Sequence, residues 1–423
     1  MKSKAGWAVL GLVLASCSPE PLVLKIGVFA GNTWGVPSGD SYRFIDSAIA
    51  EYQERHTGVR VVYRPGTLKE DYSEWLAQNL VKGTEPDLFA VLTGDFNTFA
   101  SIGAMEGLDR WIDQGSGFAR TDFYGTALQS GQFQGRQLAL PLEVAPNLMF
   151  VNTTLLTQAG IPQPRDGWTW DDFYRICAAV TRDPGDGALE SFGTNRLSWR
   201  SFSIANGANP WDASGVGTSF GSGAFAETIA FIARVQKLNR RQDVPPFDSG
   251  KVAFSAELWS SFRAYGYYPY RVNRFSQFHW VALPMPRGPH GRGNSELLSS
   301  LMAISSRSGK KAAAWDFLKF LTANLKTQES LVRYSYGWPV LKAASRTGTL
   351  EAALKNGEQG GEGVAVPQVI DSIIEESVVT PRFRKFDAAT VLADRELYRI
   401  VDDPYNLQDR LLALDKSLKE FLR

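Results

Sequence analysis

Short apolar runs alternate with longer segments of helical period along the first hundred residues. Leu22 to Phe29 reads as a strand, Tyr42 to His56 as a helix, Val59 to Tyr63 as a second strand and Asp71 to Lys82 as a second helix. Pro86 to Leu92 is a third strand that ends at the turn Thr93-Gly94-Asp95. Strands that alternate with helices predict an α/β fold with a mostly parallel sheet. In such sheets ligands gather at the loops beyond the strand C-termini, where Trp34, Asp40 and Asp95 fall.

The next apolar run, Leu138 to Val151, contains Pro141 and Pro146 and is not expected to be one ordinary central strand. A crossing between two lobes explains the interruption. Thr169 starts a helix with Asp172 at the capping-box position. Asn195 to Gly223 reads as loops around a short helical piece, Phe225 to Leu238 as a helix, and Phe278 to Met285 as a strand. Ala314, Phe317, Leu318, Leu321 and Leu325 have the spacing of a buried helix face, as does Leu407 to Leu422.

The N-terminus is an address rather than part of the fold. Lys2 and Lys4 precede an apolar run of about ten residues, half of what a bilayer span needs. Leu14-Ala15-Ser16-Cys17 closes it in the manner of a bacterial lipobox. Residues 1–16 are therefore expected to be a removed signal peptide, with Cys17 lipidated and the rest held outside the cytoplasmic membrane. The only other cysteine, Cys177, leaves no internal disulfide. Its neighbours Phe173, Ile176 and Val180 share its helix face, so it is expected in the core.

Charge is balanced, with 45 basic and 44 acidic residues and no long basic run, which argues against nucleic acid. Three scattered histidines offer no metal cluster, and no cofactor is implied. Gly217-Thr218-Ser219-Phe220-Gly221 matches a nucleophile elbow but follows a loop instead of a buried strand. Gly39-Asp40-Ser41 lacks a late Asp-x-x-His partner, and Gly309-Lys310 lacks the upstream glycine of a phosphate loop. A glycosidase with two carboxylates stays open, because such pairs meet only in three dimensions.

Several blocks, in order, resemble one family. They are Pro86-Asp87, the stretch Phe99 to Asp109, Leu140-Pro141 with Val151-Asn152, Ala159-Gly160-Ile161-Pro162, Trp168 to Phe173, Gly250 to Phe254, Ala314 to Thr322, and Tyr336-Gly337-Trp338-Pro339. Their order and spacing behind a lipobox resemble the family 1 extracellular solute-binding proteins of ABC importers, the maltose-binding-protein-like branch. The resemblance implies a two-lobed periplasmic-binding-protein fold (type II) with discontinuous lobes, a hinge and an interlobe cleft. It implies residues 22–142 plus 286–334 for the first lobe and 143–285 plus 335–423 for the second. Crossings are expected near Glu143 to Asn147, Pro284 to Pro286 and Tyr334 to Trp338.

The family is one of receptors and not enzymes. The resemblance implies a monomer that binds a solute, most readily a sugar, and meets permease subunits at the membrane. The chain is well supplied for sugar faces, with 12 Trp, 14 Tyr and 25 Phe. Candidate ligand contacts are Trp34, Asp40, Asp95, Glu143, Asn147, Trp199, Asn206, Trp259, Tyr336 and Trp338. Trp259 leads, since it follows the Gly250-Lys251 block where the family turns an aromatic toward the cleft. For each aromatic, packing is an equal reading. Arg196, Arg263 and Arg271 leave an anionic ligand open. A cell-surface carbohydrate hydrolase and a non-transport sugar sensor on the same fold are the alternatives.

Overall fold

The computed structural model describes residues 20–36, 41–114, 117–183, 189–212, 215–239, 243–265, 277–355 and 367–423. Ten strands join in one mixed sheet: β1 (Leu22–Gly27), β2 (Val59–Tyr63), β3 (Leu88–Val91), β4 (Leu140–Asn152), β5 (Phe192–Thr194), β6 (Val252–Leu258), β7 (Trp280–Leu283), β8 (Glu296–Ile304), β9 (Trp338–Pro339) and β10 (Val378–Val379). The order is β2-β1-β3-β8-β4-β6-β5, with β7 and β9 also on β4 and β10 on β8. The parallel part expected from the sequence is β2-β1-β3, whereas β8 runs antiparallel to β3 and β4 but parallel to β10, and β4 runs antiparallel to all its partners.

The helices that matter below are α1 (Ser41–Arg55), α2 (Lys69–Lys82), α3 (Thr93–Ser101), α4 (Trp170–Val180), α5 (Trp199–Ala205), α6 (Gly223–Gln236), α7 (Trp259–Tyr265), α8 (Lys311–Ala323), α9 (Leu325–Tyr334), α10 (Phe386–Asp402) and α11 (Leu407–Leu422). Their faces follow the sequence pattern. Phe44, Ile45, Ala48 and Tyr52 of α1 are buried, as are Ala314, Phe317, Leu318 and Leu321 of α8. Thr169 caps α4 reciprocally with Asp172, satisfying two backbone donors. Cys177 on α4 is fully buried, which pushes its thiol well above the ordinary range and leaves it inert. A Cβ on Gly193 of β5 would lie 2.5 Å from the Cys177 Cβ, so glycine lets helix and strand meet there.

One expected turn is a helix. Thr93-Gly94-Asp95 opens α3 instead of ending in a loop. An acidic side chain in the first turn suits the positive end of a helix, which outweighs the single glycine.

Strand β4 is the spine of the molecule and corrects the reading of its two prolines. It is one strand of thirteen residues. Residues Leu140 to Pro146 pair with β8, while Asn147 to Val151 pair with β6 and Met149 to Asn152 with β7. Leu142 is bulged out where the register slips opposite Ser300 and Leu301. A bulge beside Pro141 absorbs the missing proline N–H, so the strand continues.

Two cores flank this spine and define two lobes. The first holds β1, β2, β3 and β8 with α1, α2 and α8, and the second holds α4, α6, α10 and α11. The chain leaves the second core after Met285 and rejoins the first at Leu297. It stays there through Trp338 to Ile374 and returns to the second core at Phe383. The third passage is therefore carried by β10 and not by Tyr334 to Trp338. Residues 338–374 likewise pack with the first core, where the sequence reading gave them to the second lobe. Leu297 pairs with both Pro146 and Val379, so the three passages run side by side. Arg200 clamps them, holding Glu296 at 2.6 Å and donating to the Thr380 hydroxyl at 3.3 Å. On α3, Asn97 donates to Asp387 of α10 at 3.1 Å, a direct tie between lobes.

Candidate functional site

The loop after β1 is built around Asn32. Its amide oxygen accepts from the backbone N–H groups of Trp34 (3.0 Å) and Val36 (3.2 Å), and its amide donates back to the Val36 carbonyl. Lys69 of α2 donates to the Thr33 carbonyl, and Thr33 donates to the Ser300 hydroxyl on β8 at 3.0 Å. This loop holds Trp34 half-buried against the edge of the first core.

The Trp34 indole N–H donates to Glu143 Oε1 at 3.0 Å. Glu143 lies on β4 and is 4 % exposed. Its other oxygen accepts from the Ser335 hydroxyl and from the Gly337 backbone N–H at 3.1 Å. A Cβ on Gly337 would stand 2.3 Å from that oxygen, so only glycine lets the backbone approach. Burial pushes the Glu143 carboxyl up to about 7, against the opposing pull of its three donors and of the Arg263 charge. Arg263 itself is buried and donates to the carbonyls of Val332 (2.9 Å) and Ser335 (3.2 Å), which ties α7 to the segment that carries Tyr336.

This carboxyl sets a pH dependence. Its folded value lies above the ordinary 4.5, so the native protein holds the extra proton. The resulting stability is fully present below about pH 4.5 and is lost as pH rises through about 7. Urea unfolding of the unliganded protein is expected to show stability falling by on the order of a few kcal/mol across that window. Glu143→Gln should flatten the fall. An equal slope in the variant would assign the titration to another group.

Beside Trp34 lies a recess of about 290 Å³. Trp34, Gly35 and Val36 of the loop after β1, Asn147 of the crossing strand, Arg196 of the loop after β5, and Glu257 and Ser261 of β6 and α7 line it. Asn147 donates to the Ser201 hydroxyl at 3.4 Å. Arg196 stands 3.4 Å from Glu257, whose carboxylate also accepts from the Ser255 hydroxyl at 2.9 Å. Burial raises the Glu257 carboxyl, and Arg196 and the serines oppose it. A ring from the loop after β1, one carboxylate, an amide and a guanidinium thus converge on the recess, the mix that grips an apolar face with a polar rim.

The other expected contacts fall elsewhere. Trp259 is fully buried, stacked on Phe262 and set edge-on against Trp338, so it forms core beneath the recess and not its wall. Trp338 is equally buried and donates its indole N–H to the Tyr124 hydroxyl at 3.3 Å. Tyr336 is half-buried under the Arg263 guanidinium, 5.9 Å from its ring centre. Asp95 accepts from Ser73 at 2.6 Å and does not line the recess; burial, and then Asp387, raise its carboxyl. Trp199 donates to Asp394 at 2.7 Å on the far side of its loop. Asn206 is a buried C-cap that donates to Ala224 and Thr228 and accepts from the His290 N–H, so it staples loops together. Asp40, Arg271 and Cys17 lie outside the described residues.

Sequence reasoning missed Glu257, Ser261 and Ser335 as lining or positioning residues. Glu257 had a signal: the one charge in the mostly apolar strand β6. The Gly-x-Ser-x-Gly segment is a loop docked on α11, where the Thr218 hydroxyl and Phe220 N–H donate to Asp415 at 2.7 and 2.8 Å. Among the described residues, no three His, Cys, Asp or Glu side chains form a metal-ligand group, and no helix is long and apolar enough to cross a membrane.

The sequence profile of bacterial extracellular solute-binding proteins matches residues 37–324. The chain belongs to that family. No curated protein matches it in sequence. Solved structures of the family's kind share its two-lobed α/β fold. The cyclic α-maltosyl-1,6-maltose binding protein of Arthrobacter globiformis superposes with a TM-score of 0.76 at 16 % identity, covering 95 % of this chain and 99 % of its own. The sugar-binding protein MalE of Xanthomonas citri gives 0.75 at 15 %, covering 95 % and 97 %. The substrate-binding protein Lmo0181 of Listeria monocytogenes, in complex with cycloalternan, gives 0.72 at 15 %, covering 95 % and 99 %. At such identities the likeness establishes the fold of this solute-binding protein, and its own residues must argue the ligand.

Proposed function

We propose that this solute-binding protein is a lipid-anchored extracytoplasmic receptor that captures a carbohydrate, an oligosaccharide by preference, between its lobes and hands it to an ABC importer. The observation that carries the reading is Trp34, fixed by Glu143 at the lobe junction and facing a recess whose polar groups, Asn147, Arg196 and Glu257, lie across from its loop. An indole face covers sugar C–H groups while Asn147, Glu257 and Arg196 meet hydroxyls. A ligand that touches both lobes binds the closed state better than the open one, and closure is the signal a permease can read. The sugar ligands of the three structural relatives support the ligand class. Glu143 is a poor candidate for a hydrolytic acid, since three protein donors already occupy its two oxygens.

A thermal-shift screen of the purified protein against a sugar library tests the reading. A true ligand at a hundred times its dissociation constant adds about 2.7 kcal/mol. Its saturation should also shrink the radius of gyration in small-angle scattering. No stabilisation by any sugar in a broad library would remove the carbohydrate assignment.

The anchor rests on the lipobox at Leu14 to Cys17. Cys17→Ala is expected to block processing or release the protein from membranes in a fractionation assay. A native N-terminus without acyl groups by mass spectrometry would remove the anchor.

A further inference from the structure

The chain leaves little slack between Cys17 and its fold. Four residues separate Cys17 from Leu22, the first residue of β1, and two of them are prolines, Pro19 and Pro21, which stiffen the backbone. Five Cα steps reach at most about 18 Å, so covalent geometry alone keeps Leu22 within that distance of residue 17. Leu22 is fixed in its turn. Its N–H donates to the Gly58 carbonyl at 2.8 Å, and it pairs with Val59 of β2. With Cys17 lipidated, the N-terminal end of these parallel strands is the end of the first lobe that lies at the bilayer.

Helices α1 and α2 run back against the strands, so their C-terminal ends, Arg55 and Lys82, arrive at the same end. The turn at residues 56–58 and the loop at residues 83–87 lie there too, and both are within the described residues. Strand β8 ends beside them, where the Ser305 N–H donates to the Asp87 carbonyl at 2.9 Å and Arg307 donates to the Leu80 carbonyl. Apolar side chains stand out at this end: Leu22, Val23 and Val81 are exposed, Val81 by 87 %. Arg60, the register partner of Val23, is exposed, as are Lys25 and Lys82. The acids of the loops are already met, Glu85 by Arg307 at 2.8 Å and Asp87 by Lys310 at 3.4 Å. Glu20 and Glu54 are the exposed acids beside them. Apolar side chains next to unmatched cations suit a phospholipid surface, where the chains enter the headgroup layer and the cations meet phosphate.

We propose that this end of the first lobe is a docking face for the phospholipid headgroups of the anchoring bilayer, met through Leu22, Val23, Val81, Arg60 and Lys82. The placement rests on the lipid anchor proposed above. The loop that carries Trp34 follows the other end of β1, about 17 Å farther from the bilayer at the usual rise of a strand. Solute is thus captured on the side of the lobe turned away from the membrane that holds the protein.

Fluorescence quenching on vesicles tests the face. The full lipidated protein carries a thiol dye at Thr57→Cys or at Glu70→Cys, and Cys177, fully buried, stays unlabelled. The vesicles hold phosphatidylcholine, phosphatidylglycerol and a lipid with a nitroxide headgroup. Thr57 lies in the turn at the bilayer end, whereas Glu70 opens α2 at the other, and a helix of that length spans about 20 Å. Quenching is expected at position 57 and none at position 70. A second pair of proteins has about twenty Gly/Ser residues inserted after Glu20, which slackens the tether and leaves the face to hold by itself. Quenching at position 57 should persist there at low salt, and should be lost both on Arg60→Glu/Lys82→Glu and on adding salt to the unaltered face. Equal quenching at the two positions, stronger quenching at position 70, its loss on the long tether at low salt, or its persistence through charge reversal or salt would each overturn the proposal. A native N-terminus without acyl groups removes the anchor and the placement together, whereas acylated protein with the wrong quenching pattern removes the placement alone.

Discussion

Trp259→Ala is expected to unfold the unliganded protein far more easily while leaving ligand affinity within a few-fold of normal. The ring is fully buried, stacked 5.1 Å from Phe262 and edge-on at 5.1 Å to Trp338. Truncating such an aromatic removes its transfer energy and leaves a cavity, a loss of about 3–5 kcal/mol. In a chain of this size that corresponds to a fall of roughly 4–6 °C in melting temperature. Trp259→Phe should cost much less, because the indole N–H has no partner and nothing is left unpaired by its removal. Melting curves of the two variants and one calorimetric titration decide the matter. A normal melting point with a large loss of affinity would return Trp259 to the cleft wall.

Trp34→Ala should behave in the opposite way. The side chain is half-buried at the edge of the first core, so its loss should cost less stability than that of the fully buried Trp259. If it stacks on ligand, its removal costs about 2 kcal/mol of binding, a fall of at least roughly thirtyfold. Trp34→Phe keeps the ring but deprives Glu143 of a donor, and should lie between. Titration of the best sugar from the screen gives the answer. Unchanged affinity in Trp34→Ala would leave the recess without its main anchor and the carbohydrate reading without its basis.

Local physics carried much of the fold into the sequence. Val59 to Tyr63 and Leu407 to Leu422 could be read to the residue, because apolar spacing and flanking polar residues define them without outside help. The Thr169 cap and the burial of Cys177 were legible for the same reason. Strand β4 was not, since its continuity depends on changing partners half-way along, and those partners lie more than a hundred residues downstream. The third crossing was misplaced because Trp338 and Pro339 pair beside the crossing strand at Val144 and Glu143 without crossing there. Aromatic candidates near crossings were sorted only by burial, which sequence does not encode locally. Asn32 fixes the loop that leaves Trp34 half-buried at the edge of the first core, while Trp259 and Trp338 close on one another.

Strand β4 also bears on how the molecule can be cut. Each half of it is an interior strand, with β8 and β9 on one stretch and β6 and β7 on the other. Neither lobe is therefore a separable module. A half-molecule made without its share of this strand would present two raw sheet edges, and such edges recruit other chains. Split-reporter designs, fragment complementation and domain grafting should keep residues 140–152 whole and place their breaks in surface loops.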